Sequence, residues 1–379
     1  MIYLDYGATT PVRPEVREEM ERYFAAEFAN PHSVHGDGER ARAAVETARE
    51  QIARCLGAKP KQIIFTSGGT EANNLAILGL ARSAKYKRKH LVTSAIEHKS
   101  ILGPMHALSK SGFTVDLLPL ELTGLIKLPV LEQTVREDTL LVSVAHGNSE
   151  IGTIQPIEAL AKLAKGKGAL FHCDAVQSFG KIPVEVPKLG VDLISISGHK
   201  IYGPKGIGVL YVGPGVKLEP LMYGGGQERD LRPGTLNVSG IMGMAKAVEL
   251  AVQEAAGENS RLRELRERLF ATLIKIEGLY LNGEAQSRLP NNLNLGISGL
   301  DGQVIVAELA KRDIAVSPGS ACGAMGPSHV LAAIHPETDR AYEGFRITLG
   351  KYTSQQDILA FVANLTEVIN DLRTRYVSP

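Results

Sequence analysis

Short runs rich in valine, isoleucine, leucine and phenylalanine alternate along the chain with stretches whose apolar residues fall three or four apart. The runs are QIIFT (62–66), HLVTS (90–94), TLLVSVA (139–145), ALFHC (169–173) and DLISIS (192–197). Helical spacing marks TEANNLAILGLARSA (70–84) and PIEALAKLAKGKG (156–168) between them. Such alternation constrains the chain to an α/β fold, with a mostly parallel sheet between helices and ligand sites at the carboxyl ends of its strands.

Beyond IGVLYV (207–212) the chain becomes glycine-rich at YGGGQERDLRPGT (223–235). Helical spacing then returns in SGIMGMAKAVELAVQEAA and in SRLRELRERLFATLIKI (260–276). A boundary near residue 256 follows, giving a large domain over 15–256 and a smaller α+β domain from 1–14 and 257–379. With 379 residues, 44% of them apolar, the chain can bury cores of that number and size.

Charge excludes several function classes. Lysine and arginine number 42 against 41 acidic residues, and no window interleaves clustered cations with aromatics, so nucleic acid is not an expected partner. The short KYKRK (85–89) fits a solvated helix end. No apolar run approaches the roughly 18 residues of a membrane span, and MIYLDYGATTPVRPEV has no basic leader. The expected location is the cytoplasm, without membrane contact. Cys55, Cys173 and Cys322 are too scattered for a disulfide framework, and no CxxC pair offers a metal site.

Three strand ends carry unusual residues. IIFTSGGTEANNLAIL leads through Ser67, Gly68 and Gly69 into a helix beginning near Thr70. Two glycines admit close approach of a ligand, and free N–H groups at a helix start suit a phosphate; an ordinary glycine-rich turn with Thr70 as cap explains the string equally well. In ALFHCDAVQS, Asp174 leaves an apolar run and Gln177 follows three residues later. A carboxylate there either caps the next helix or meets a cationic partner. In SISGHKIYGPKGIG, Ser197, His199 and Lys200 follow the strand, and Lys200 is either a solvated loop lysine or a buried amine.

Together the three ends match what pyridoxal phosphate requires. That cofactor needs a lysine for its Schiff base, an acid that keeps the pyridine nitrogen protonated, and an anion site. A desolvated pocket favours the neutral amine that attacks the aldehyde.

The segments YLDYGATTP (3–11), NPHSVHGDG (30–38), FTSGGTEANNLAI (65–77), EHKS (97–100), EIGTIQPI (150–157), DAVQSFGK (174–181), SGHKIYGPKGIG (197–208), RPGT (232–235) and GSAC (319–322) run in order over almost the whole chain. In combination they resemble the NifS/IscS-type cysteine desulfurases of the class V aminotransferase family, enzymes of the PLP-dependent transferase fold type I with a seven-stranded, mostly parallel sheet. The resemblance implies that Lys200 carries the cofactor, that Asp174 faces its ring nitrogen and Gln177 its 3′-oxygen, and that His98 lies over the ring. It implies a phosphate held by Gly69, Thr70, Ser197 and His199, with Thr235 lent by the second subunit of a homodimer.

The same resemblance assigns Cys322 as the persulfide-bearing cysteine and Arg346, in FRITLG, as the clamp on the substrate carboxylate. The substrate would be L-cysteine, the product L-alanine, and the sulfur would pass to an acceptor protein for iron–sulfur cluster assembly or thiolation. Cys322 lies in SPGSACGAMGPS (317–328), a glycine- and serine-rich segment expected to form an exposed loop, where a thiol is a liability unless used. Ser149 stands in NSE where the family has asparagine, a shorter side chain for the contact to the 3′-oxygen. Pro318, Gly323 and a shorter following loop also depart from the family pattern. Rival readings are transamination, selenocysteine cleavage, or a non-catalytic interaction protein on the same scaffold.

Overall fold

The computed structural model describes residues 1–319 and 326–376. Seven strands form the main sheet: β1 (Ile63–Thr66), β2 (His90–Ser94), β3 (Thr114–Leu118), β4 (Thr139–Ala145), β5 (Leu170–Asp174), β6 (Leu193–Ser197) and β7 (Gly208–Val212). Their order is β1-β7-β6-β5-β4-β2-β3. Pairing is parallel from β6 through β5, β4 and β2 to β3, while β7 runs antiparallel to both β6 and β1. The expected mostly parallel, seven-stranded sheet is therefore what the chain forms.

The central strands are buried on both faces, which is why their sequences read as continuous apolar runs. Successive residues serve opposite sides: Ile194 and Ile196 of β6 join one core and Leu193 the other, as do Val209 and Tyr211 against Leu210 in β7. The first core takes in helix α1 (Gly36–Leu56); the second takes in α2 (Gly69–Arg82) and α3 (Lys99–Ser109).

Past the sheet, α4 runs unbroken from Val238 to Leu273. Val238 to Val248 pack in the first core, whereas Leu262, Leu269 and Leu273 belong to a separate one. The boundary expected near 256 thus falls inside a single helix. Gly257 does not interrupt it, because one interior glycine costs only about 1 kcal/mol and packing holds both ends. The separate core is built on an antiparallel sheet, β8 (Leu279–Asn282), β9 (Asn292–Ile297) and β10 (Gly344–Thr348), covered by α5 (Gln355–Tyr376). Leu4 joins that core, and the first residues pass from there into the cleft at the carboxyl edge of the main sheet. Among the described residues, no helix is long and apolar enough to cross a membrane.

Candidate active site

Three strand ends and the N-terminal segment meet in one pocket of about 320 Å³. Gly69, Thr70, His98, Ser149, Asp174, Gln177, Ser197, His199 and Lys200 all line it, so the expected cofactor contacts come together with one exception. Thr235 is exposed on the 223–235 loop and does not reach this pocket.

Each side chain is held by local structure. After β1 the chain passes through Gly68, whose φ of +153° is open to glycine alone, into α2. No side chain caps that helix start, so its first N–H groups remain available beside the pocket. Gly208 of β7 lies so close that an added Cβ would sit 2.6 Å from the Gly68 carbonyl carbon. After β6, a 3-10 turn spans Gly198–Lys200, and Tyr202 follows with φ +63°. Thr10 secures this turn: its N–H and hydroxyl both donate to the His199 carbonyl at 3.0 Å, and its hydroxyl accepts from the Tyr202 N–H at 2.8 Å.

Lys200 is not a solvated loop lysine. Its Nζ donates to the carbonyls of Gly7 at 2.6 Å and Ala8 at 2.7 Å, and Gln177 Nε2 donates to the same Gly7 carbonyl at 2.9 Å. Asp174, buried, accepts from Asn73 Nδ2 at 2.8 Å and from the Val176 N–H at 2.9 Å. The second bond is cap-like, while the first faces the carboxylate into the pocket wall. Asn73 also donates to Ser100 Oγ at 2.8 Å, and His98 Nδ1 lies 2.7 Å from that same hydroxyl.

Burial lowers His199 to about 4, with nearby Lys200, Lys205 and Lys181 acting in the same direction. Its imidazole is neutral at physiological pH, with Nδ1 3.1 Å from Thr9 Oγ1. Beneath the pocket, Glu97 is fully enclosed between Ser94 Oγ at 2.6 Å and the Ala145 N–H at 2.8 Å, and burial pushes its carboxyl up to about 8.

That shift carries a sign for stability. The folded state holds the Glu97 proton more tightly than an unfolded chain near 4.5, so its contribution is complete below pH 4.5 and disappears as pH rises towards 8. Unfolding free energy should therefore fall by up to about 1.4 kcal/mol per pH unit across this window from this group. Glu150, pushed up to about 7 by burial, adds to the fall in its lower part. Denaturant titrations from pH 5 to 8 should show a shallower slope in Glu97→Gln, whereas parallel slopes would exclude a buried neutral carboxyl at this position.

A smaller chamber adjoins the pocket, sharing His98, Ser149, Gln177 and Lys200 and adding Glu150, Gly319 and Arg346. Arg346 is 2% exposed. Its Nη2 donates to Asp5 Oδ1 at 2.8 Å and its Nη1 to the Ser149 carbonyl at 2.9 Å, while Nε has no protein partner among the described residues. The arginine end of the ion pair is buried, while Asp5 keeps some exposure. Ser149 thus presents its backbone carbonyl to Arg346. Cys322 lies outside the described residues, but Gly319, three positions earlier, borders this chamber.

Sequence reasoning missed Asn73, Ser100, Asp5 and Glu97. Asn73 had a signal, since it lies one turn into α2 on the side occupied by buried Ala72 and Ala76. Asp5 had none, because only the fold brings it 341 positions across the chain to Arg346.

A model of the aminotransferase class-V family matches residues 2–361. The chain belongs to the class-V aminotransferase family. Among relatives of this class-V aminotransferase is the cysteine desulfurase IscS of Dictyoglomus turgidum, 48% identical over 381 residues that cover all of this chain and 96% of that protein. A solved NifS-like protein has a TM-score of 0.92 at 38% identity, covering 97% of this chain and 99% of its own. SspA, solved in complex with cysteine, has a TM-score of 0.81 at 38% identity, covering 93% of this chain and all of that one.

Class-V aminotransferases use pyridoxal phosphate, and the residues present fit it. An uncapped helix start beside Ser197 and His199 suits a phosphate, the fixed Asp174 carboxylate suits a protonated ring nitrogen, and Lys200 is the only lysine among the described residues lining the pocket. No cluster of three or more metal-ligating side chains occurs among the described residues.

Proposed function

We propose that this chain is a cysteine desulfurase, taking L-cysteine to L-alanine and moving the sulfur onto Cys322. The observation that carries this reading is the placement of Lys200, Asp174 and an uncapped helix start in one pocket that opens to a chamber holding Arg346. The relative of that name, matched end to end, narrows the reaction within the family. When bound, the cofactor supplies an electron sink for negative charge at the substrate Cα.

The chain's own residues do the rest. Gly69, Thr70, Ser197 and His199 hold the phosphate. Asn73 and Val176 orient the Asp174 carboxylate, which keeps the ring nitrogen protonated; Gln177, fixed on the Gly7 carbonyl, and Ser149 serve the 3′-oxygen side. Lys200 would attach the cofactor and, as a neutral amine, would take the proton from the substrate Cα. His98, which lines the pocket, would lie against the cofactor and could carry a proton. Arg346 binds the substrate carboxylate, with Asp5 holding one arm of its fork and Nε left to donate.

Cys322 attacks the substrate sulfur as a thiolate. The carbon–sulfur bond breaks, the sulfur stays on Cys322 as a persulfide, and the carbon skeleton departs as alanine after protonation at the vacated carbon. Atoms and electrons balance without another oxidant. An acceptor protein then takes the sulfur, in the manner that iron–sulfur assembly or thiolation requires.

The working unit is a cytoplasmic homodimer in which Thr235 reaches the neighbouring subunit's phosphate site, consistent with its exposure on this chain. The separate cores support a large domain over 15–256 and a small one from 1–14 and 257–379. Incubating the protein with cysteine should release alanine, and with a reductant sulfide, in equal amounts. Without reductant, the peptide bearing Cys322 should gain the mass of one sulfur. Keto acid formation in place of alanine, with no sulfide released in the presence of reductant, would overturn the assignment in favour of another class-V reaction.

A further inference from the structure

Among the described residues, the loop over 223–235 carries the longest run of left-handed non-glycine backbone. Glu228, Arg229 and Asp230 are consecutive non-glycine residues with φ of +46°, +57° and +64°. Left-handed conformations at such residues persist only where surrounding contacts over-determine them. Here the contacts are specific. The Glu228 side chain, 1% exposed, accepts from Arg49 Nη2 at 2.6 Å, from Arg49 Nη1 at 2.8 Å and from the Phe65 N–H at 2.7 Å. Arg49 in turn donates to the Ile63 carbonyl at 2.9 Å and lies 4.7 Å from the centre of the Phe65 ring. Arg229 donates to the same Ile63 carbonyl at 3.1 Å. The strained turn is thus bolted to β1, the strand that feeds the phosphate-binding helix start.

A second fastening lies closer to that start. Arg232 Nε donates to Glu71 Oε1 at 3.1 Å, and the other oxygen of Glu71 accepts from the Ser67 N–H at 2.7 Å. Ser67 and Glu71 bracket Gly69 and Thr70. Gln227 Oε1 closes the loop on itself by accepting from the Gly234 N–H at 3.0 Å, directly before Thr235.

We propose that Glu228 and Arg232 are positioning residues that fasten the loop bearing Thr235 to the rim of this chain's own phosphate cradle, so that Thr235 is presented at fixed geometry to the cofactor phosphate of a neighbouring subunit. The inference rests on the reading of Thr235 as a contact made across the dimer. A solvated loop of this glycine content would spread Thr235 over many positions, and ordering it at each binding event would weaken the contact. Anchoring it on the strand–helix junction shares one rigid element between the phosphate site of one subunit and the contact delivered to the other.

The test uses full-length mixed dimers, isolated through two different affinity tags, in which one chain carries Lys200→Ala and only the other attaches pyridoxal phosphate covalently. The readout is the dissociation constant of pyridoxal phosphate, followed through the visible band that requires Lys200. Arg232→Ala placed on the Lys200→Ala chain should weaken binding about tenfold, as loss of a charged contact's alignment does. On the chain with intact Lys200 it should change binding by less than about twofold. Equal effects in the two arrangements, or none in the first, would overturn the inference. Glu228→Gln removes the buried counter-charge of Arg49, leaving it only the half-exposed Glu46, and risks misfolding; Arg232, a quarter exposed, is the variant that keeps the test open. Thr235→Ala on the Lys200→Ala chain separates the two readings. If it has no effect, delivery across the dimer fails and takes the fastening role with it; if it weakens binding while Arg232→Ala does not, only the fastening role fails.

Discussion

Lys200→Ala should lower alanine formation from cysteine by about three orders of magnitude or more and remove the borohydride-reducible attachment of the cofactor. Lys200 is held by the Gly7 and Ala8 carbonyls at the pocket wall, and it is the only described lysine lining that pocket. No other described lysine lines that pocket to take over either the attachment or the proton transfer. Lys200→Arg should not rescue, because a guanidinium stays protonated and cannot act as a base at neutral pH. Absorbance spectra, borohydride labelling and an alanine assay on the purified variant check all three statements. A Lys200→Ala protein that turns over within tenfold of the parent would remove the central role given to this residue.

Cys322→Ala should abolish persulfide formation and lower sulfide release by about three orders of magnitude, on the scale of nucleophile deletions in other enzymes, while leaving the cofactor band intact. The proposed cofactor contacts all come from other residues, so binding and sulfur transfer separate cleanly. The remaining cysteines make poor substitutes. Cys173 is fully buried in β5, and burial raises its thiol pKa well above the ordinary range; Cys55 is half-buried in α1 and raised by the same cause. Neither supplies thiolate readily at neutral pH. Cys55→Ala should therefore leave sulfide release unchanged. Sulfide production by Cys322→Ala at the parental rate would transfer the nucleophile's role elsewhere.

Much of the architecture is legible in the sequence. The runs at 62–66, 90–94, 139–145, 169–173 and 192–197 became strands β1, β2, β4, β5 and β6 within one residue at each end. A strand buried on both faces must be apolar throughout, and that signal survives in sequence. Strand β3 gave less, since TVDLL carries Thr114 and Asp116 at the sheet edge and is only partly buried. The helix across 256 was obscured by Gly257, an intrinsic helix breaker overruled by packing at both ends.

The site divides along the same physical line. Glycines before a helix, an acid leaving an apolar strand and a lysine after another are local departures from what each element prefers, so Gly69, Asp174 and Lys200 stood out in the sequence alone. What those residues touch could not be read there. Asn73 against Asp174 spans 101 positions, Gly7 against Lys200 spans 193, and Asp5 against Arg346 spans 341. Local conformation follows from neighbours in the chain, whereas partners brought together by closure of the sheet and return of the N-terminal segment depend on the burial of whole cores. The sequence by itself marked which side chains are candidates for chemistry, because each departs from what its own element prefers; only tertiary structure decided which carbonyls hold the lysine, which amide aims the carboxylate, and that buried Arg346 pairs with Asp5.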